Sequence, residues 1–224
     1  MPALDHARTR MIAALGLVGV GFSVLFVGTL HVVATDVSPV RRTISEYALG
    51  EHRWMFDTGV LGLCVGSVLV LLALVRTGLL SWPSPGAVAL GVWSVALVVI
   101  VAFEKTNRAV GPSVGGVIHR YASLVAFMSV PVAALALGRR WRDDRFAAAA
   151  RILGTLALVV LGAIVLRIAL RRIPGVSELV PLGLAERVLA IIEVATVAVL
   201  ALWSLRPVIV PHPAGAPAQA AVTA

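Results

Sequence analysis

Six runs of apolar residues, broken only by short polar segments, fill most of the chain: 11–33, 54–75, 86–103, 117–137, 147–166 and 185–205. A helix that crosses a bilayer needs about 20 apolar residues, because the hydrocarbon core is about 30 Å thick and each residue rises about 1.5 Å. Each run is close to that length. A barrel strand would alternate polar and apolar residues over about 10 positions, and no such alternation is present. The pattern predicts an all-α, polytopic membrane protein: a six-helix transmembrane bundle in one domain, residues 1–206. The tail, residues 207–224, is proline-rich and small-residue-rich and is predicted to be disordered.

The first run follows Arg8 and Arg10, and Val32-Val33-Ala34 resembles a signal-peptidase site. Its apolar stretch exceeds the 7–15 residues of a signal core, so a retained signal-anchor helix is expected. Six spans put both termini on one side. That side holds nine basic residues, among them the compact Arg139-Arg140-Trp141-Arg142, and the other side holds ten. The count alone does not orient the bundle. The arginine pair before the first span does, and it predicts both termini to be cytoplasmic.

Composition agrees with a membrane protein: 59% of residues are hydrophobic and 13% charged, against roughly 25% charged in soluble domains. The net charge of +8 fits membrane orientation and contact with anionic lipid better than nucleic acid, since basic residues flanking spans serve both. One cysteine, Cys64, rules out a disulfide within the chain and is expected to be a small packing residue. Eight of eleven acids (Asp36, Glu46, Glu51, Asp57, Glu104, Glu178, Glu186 and Glu193) fall on or towards the outer side, which predicts a polar outer vestibule. Gly62 and Gly66 form a GxxxG pair that lets a neighbouring helix approach. Pro131 is expected to kink its span.

Chemistry, if any, belongs to the ionisable residues near the outer ends of the spans. In the first outer loop Thr43 and Glu46 fit a capping box and Gly50 a helix stop, predicting a short interfacial helix over 45–49. Arg41, Arg42, Ser45 and Glu46 are candidates to line a polar site beneath it. Asp57, one turn into the second span, either reaches headgroup water or pairs with an outer arginine. Arg108 lies in the third loop. His119 and Arg120 follow a glycine-rich approach to the fourth span. His119 is either structural or a base, ligand or donor; Arg120 either snorkels outward or pairs within the bundle. Glu186 and Glu193, seven residues apart, project from nearly one face of the last span, with Arg187 beside the first. Glu193 falls near the bilayer middle, where an unpaired carboxylate costs at least ~2.5 kcal/mol. It is either a buried helix–helix hydrogen-bonding group or a proton-relay carboxyl. Neither a metal site nor a cofactor is expected: His6, His52 and His212 lie outside the spans, and only His31 and His119 approach helix ends.

The order Thr43-Ile44-Ser45-Glu46, then Phe103 with a polar loop, then Gly116-Val117-Ile118-His119, then Gly183-Leu184-Ala185-Glu186-Arg187 resembles the prokaryotic domain-of-unknown-function 998 family. The first motif is also distantly similar to the damage-regulated autophagy modulator type of six-span protein. The first resemblance implies a six-helix bundle in a bacterial cell membrane and no particular reaction. The second implies a part in membrane-lipid organisation.

The reading that follows is a non-enzymatic one: an outer-facing Arg/Glu-lined cavity that binds a lipid headgroup or small polar ligand. Arg41, Arg42, Arg108 and Arg120 would meet the anion, with Glu46, Asp57 and Glu186 orienting them. The alternatives are an intramembrane lipid hydrolase or transferase using His119, and a proton-coupled carrier using Glu193. Membrane lipids are the expected partners, nucleic acid is not, and homo-oligomerisation is left open.

Overall fold

A computed structural model describes residues 2–107, 109–170, 172–173 and 181–206. The tail 207–224, Arg108, Arg171 and Glu178 lie outside these. Among the described residues there is no strand, and the elements are α1 (Pro2–Val33), a 3₁₀ helix (Ile44–Leu49), α2 (Arg53–Arg76), α3 (Pro85–Ala102), α4 (Val114–Arg140), α5 (Arg145–Ala169) and α6 (Leu182–Ser204). The protein is all-α. Helices α1 to α5 are long and apolar enough to cross a membrane, and several such helices suggest a multi-pass integral membrane protein. Helix α6 is 23 residues long and carries Glu186, Arg187 and Glu193.

Three helix starts follow side-chain caps rather than the edges of the apolar runs. Ser113 accepts from the Gly116 amide at 3.0 Å and starts α4 at Val114, three residues before its apolar run. Asp144 accepts from Phe146 N at 2.6 Å and starts α5 at Arg145. Ser84 caps α3 with Pro85 in its first turn, where a missing N–H is harmless. Helix α1 begins well before residue 11 because nothing in its polar lead breaks a helix, and Asp5 in the first turn favours its positive end. Pro131 lies within α4, which runs on to Arg140.

The helices alternate in direction. One end of the bundle, here the Glu46 end, gathers the 3₁₀ helix, the 103–113 loop and the start of α6; the other, the Arg140 end, gathers the α2–α3 and α4–α5 turns. Helix α6 packs against α1, α2, α4 and α5. Helices α1 and α2 meet backbone to backbone. A Cβ added to Gly19 would lie 2.7 Å from Gly66 Cα, and one added to Gly66 would lie 2.8 Å from the Gly16 carbonyl oxygen. The GxxxG pair therefore has a glycine partner surface, Gly16 and Gly19, on α1. Between α2 and α3, the Trp93 indole donates to Ser67 Oγ at 2.9 Å and Cys64 Sγ donates to the Ser94 carbonyl at 3.3 Å. Cys64 is a packed, buried thiol, as its position in the second apolar run predicts.

Candidate functional site

The first loop folds back onto α6 because α6 opens with a glycine. A Cβ on Gly183 would lie 2.7 Å from the Pro39 carbonyl oxygen, and the Leu184 amide donates to the Val40 carbonyl at 3.1 Å. The chain then turns through the 3₁₀ helix, burying Glu46, Tyr47 and Ala48. Thr43 sits at its N-cap but makes no side-chain cap bond. Its hydroxyl instead donates to Glu46 Oε1 at 3.4 Å and lies 3.3 Å from Ser45 Oγ. Gly50 closes the helix, its amide donating to Tyr47 O.

Glu46 is the centre of one charge cluster. Arg42 Nη1 donates to its Oε2 at 2.8 Å, and Lys105 Nζ donates to its Oε1 at 3.0 Å. Lys105 also bonds the Thr43 hydroxyl. The Glu46 side chain is 9% exposed, Lys105 19% and Arg42 50%. Burial pushes the Glu46 carboxyl up, but the Lys105 and Arg42 cations outweigh it and hold it below the usual carboxylate range. Beside this cluster is a pocket of about 170 Å³ lined by Arg42, Glu46, Leu49, Lys105, Thr106, Asn107 and Ala109. Thr106, one of its lining residues, packs against Gly116, where a Cβ would lie 2.7 Å from Thr106 N. One carboxylate between two cations leaves the charged lining positive.

Arg187 anchors a second network beneath the first. Only 8% exposed, it donates through Nε to His31 Nε2 at 2.7 Å, through Nη1 to the carbonyls of Arg42 (2.6 Å) and Gly183 (3.0 Å), and through Nη2 to the Tyr47 hydroxyl at 3.2 Å. His31 Nδ1 faces the Val27 carbonyl at 2.7 Å. A single neutral tautomer, Nδ1–H with a bare Nε2, satisfies both contacts. The guanidinium also lies over the Tyr47 ring, 5.7 Å from its centroid. One side chain of α6 thus ties together α1, the first loop and the 3₁₀ helix.

The other predicted residues distribute as follows. Glu186 faces the Ile44 amide, near Lys105 and Arg187. Asp57 pairs with Arg53 Nε at 3.1 Å, and Arg53 bridges onward to Glu104, fastening the third loop to α2. Arg41 and Arg120 are exposed. His119, 4% exposed, uses Nδ1 to donate to the carbonyls of Phe103 (2.8 Å) and Ile100 (3.1 Å), closing the end of α3. Its Nε2 is buried with no hydrogen-bond partner. Glu193 is 1% exposed, and neither carboxyl oxygen has a hydrogen-bond partner. Among the described residues no group of three His, Cys, Asp or Glu side chains could hold a metal ion. Arg42, Ser45, Glu46, Glu186 and Arg187 converge at the first loop, while Asp57 and His119 sit in neighbouring but separate networks. Sequence reasoning paired Thr43 with Glu46 but missed Lys105, Tyr47 and His31, whose contacts span 59 to 156 residues and left no local signal.

The model of a family described as a protein of unknown function (DUF998) matches residues 17–203. That stretch contains every element of both networks. No curated protein and no solved structure matches the chain.

Proposed function

The chain belongs to the DUF998 family, and on that premise we propose that it is a six-span bacterial membrane protein that binds an anionic lipid headgroup or similar small polar ligand. The ligand sits at the outer mouth, and both termini are cytoplasmic. Helix α6 supports the sixth span: its 23 residues reach about 34 Å at about 1.5 Å each, and it packs against four other long helices. Orientation is supported by Arg8 and Arg10 before the first span and by the arginines of the α4–α5 turn, all at the Arg140 end.

The pocket beside Glu46 carries the binding reading. Arg42 and Lys105 supply cationic donors, Thr106 and Asn107 supply neutral polar groups, and the cavity is large enough for a headgroup-sized solute. Glu46 orients both cations. A phosphate entering between them would replace part of their interaction with that carboxylate, and a guanidinium suits its planar, bidentate recognition. Arg41 and Arg120, exposed at the same end of the bundle, would attract the anion electrostatically. The test is native mass spectrometry of the gently purified full chain with added phosphatidylglycerol. Wild type should retain a lipid copy that the Arg42→Gln/Lys105→Gln double variant loses. Equal retention in a double variant of unchanged thermal stability would refute the reading.

One observation favours a second reading. A carboxyl with neither oxygen hydrogen-bonded, buried in the middle of α6, suits reversible proton binding in a proton-coupled carrier. Proton-driven uptake into liposomes that persists in Glu193→Gln would remove that reading. The lipid-hydrolase alternative draws less support: His119 is held through Nδ1 by the carbonyls that end α3, its partnerless Nε2 is buried, and it is not among the residues lining the pocket beside Glu46.

A further inference from the structure

The Arg140 end of the bundle carries cations that its own acids do not neutralise. The α4–α5 turn holds Arg139, Arg140, Arg142 and Arg145, all exposed, and Arg206 follows α6. None of these five arginines makes an ion pair with a described residue. Of the three described acids at this end, Asp144 caps α5 through Oδ1, and Asp5 and Asp143 are exposed and make no ion pair with a described residue.

The turn is nevertheless built rather than loose. Arg151 donates to the carbonyls of Gly138 at 2.6 Å and Arg142 at 3.3 Å, and the Trp141 indole donates to the Leu79 carbonyl at 3.1 Å. Two like charges are brought to one ring: the Arg206 guanidinium lies 4.5 Å and the Arg145 guanidinium 5.3 Å from the Phe146 centroid. Phe146 is itself stacked on Trp203, with centroids 6.2 Å apart. Stacking uses the face of a guanidinium and leaves its N–H edge available. Two guanidinium groups lie within 5.3 Å of one ring centroid, and neither is paired to a carboxylate among the described residues, which leaves N–H donors of both for an oxyanion. These donors sit where apolar helices end, so phospholipid phosphate is the anion within reach.

We propose that the Arg140 end binds the phosphate of an anionic glycerophospholipid, with Arg145 and Arg206 on Phe146 as the seat. The exposed arginines of the α4–α5 turn surround it and add long-range attraction. This site lies at the opposite end of the bundle from the Glu46 pocket, and neither depends on the other. A single anionic lipid bridging the two guanidiniums would tie α6 to the start of α5.

The experiment uses the full chain in detergent micelles, titrated with phosphatidylglycerol, with phosphatidylcholine, and with inorganic phosphate against phosphatidylglycerol. Bound lipid is counted by native mass spectrometry. Each basic residue near an anionic surface adds about 1 kcal/mol, or about fivefold in affinity. The Arg145→Gln/Arg206→Gln variant should therefore bind phosphatidylglycerol some 25-fold more weakly at this site, and Arg42→Gln/Lys105→Gln should leave this site unchanged. Wild-type preference for phosphatidylglycerol over phosphatidylcholine should also fall as sodium chloride rises, a readout that needs no variant. Equal binding of the two lipids, a salt-independent preference, or an unaltered Arg145→Gln/Arg206→Gln variant would overturn the proposal. Full displacement by millimolar inorganic phosphate would overturn the lipid assignment in favour of a free-anion site.

Discussion

Replacing Arg187 by Met keeps the length of the side chain but removes every donor it offers. Three acceptors on other elements then lose their partner: His31 Nε2, the Tyr47 hydroxyl and the Arg42 carbonyl. A buried polar group left unpaired costs about 1–3 kcal/mol. The Arg42 carbonyl is on an exposed residue and is left out of the sum, while Tyr47 is 1% exposed and His31 is half-buried, so two side-chain orphans are counted. Their combined cost of about 2–6 kcal/mol is reduced because the variant no longer buries a charge. The expected net loss is about 3 kcal/mol, with the 3₁₀ helix loosened first. Arg187→Lys keeps the charge but presents a compact ammonium with no planar fork, and should lose about half as much. Tyr47→Phe alone should cost about 1 kcal/mol. Because it shares a bond with Arg187, the double variant should be less destabilised than the two singles added together. Equilibrium denaturation in mixed micelles measures each value. An Arg187→Met protein within about 0.5 kcal/mol of wild type, or strict additivity with Tyr47→Phe, would refute the reasoning.

Other outcomes follow from the same geometry. Gly66→Leu should destabilise by at least 1–3 kcal/mol through overpacking, because a Cβ there already meets α1 backbone at 2.8 Å; Gly21→Leu, with open space around it, should melt like wild type in detergent. Gly183→Val should push the 39–42 segment off α6 and raise amide hydrogen exchange across 44–49. Glu46 is held below the ordinary carboxylate range, so its contribution to stability is complete above about pH 4.3 and is lost as pH falls through its lower folded value. Thermal melts from pH 7 to 3 should show that loss in wild type, and Glu46→Gln should remove this part of the acid dependence.

The apolar runs made the helices legible because bilayer thickness sets a length that few other structures need. Their edges were less so: α4 and α5 begin where Ser113 and Asp144 satisfy backbone amides, not where hydropathy rises. The Gly62/Gly66 pair was readable as a packing surface, but its partner, Gly16 and Gly19, could not be assigned without knowing which helix lies alongside. At the site, Arg42 and Glu46 are four residues apart and could be paired from sequence; Lys105 is 59 residues from Glu46 and could not. Arg187 was expected beside Glu186, near the ligand. It instead meets a histidine, a tyrosine and two carbonyls, a set that no charge pattern announces. One usable signal was present. Gly116 with His119, and Gly183 with Arg187, repeat one device: a glycine admits a loop against a helix start, and a ring or guanidinium a turn later binds that segment's carbonyls.

A crystal structure of the full chain grown from a lipidic mesophase doped with phosphatidylglycerol tests the binding claim most directly. Density for a phosphate bridging Arg42 and Lys105 beside Glu46 is the predicted result. A pocket holding only water, with Arg42 and Lys105 turned apart into solvent, would contradict it.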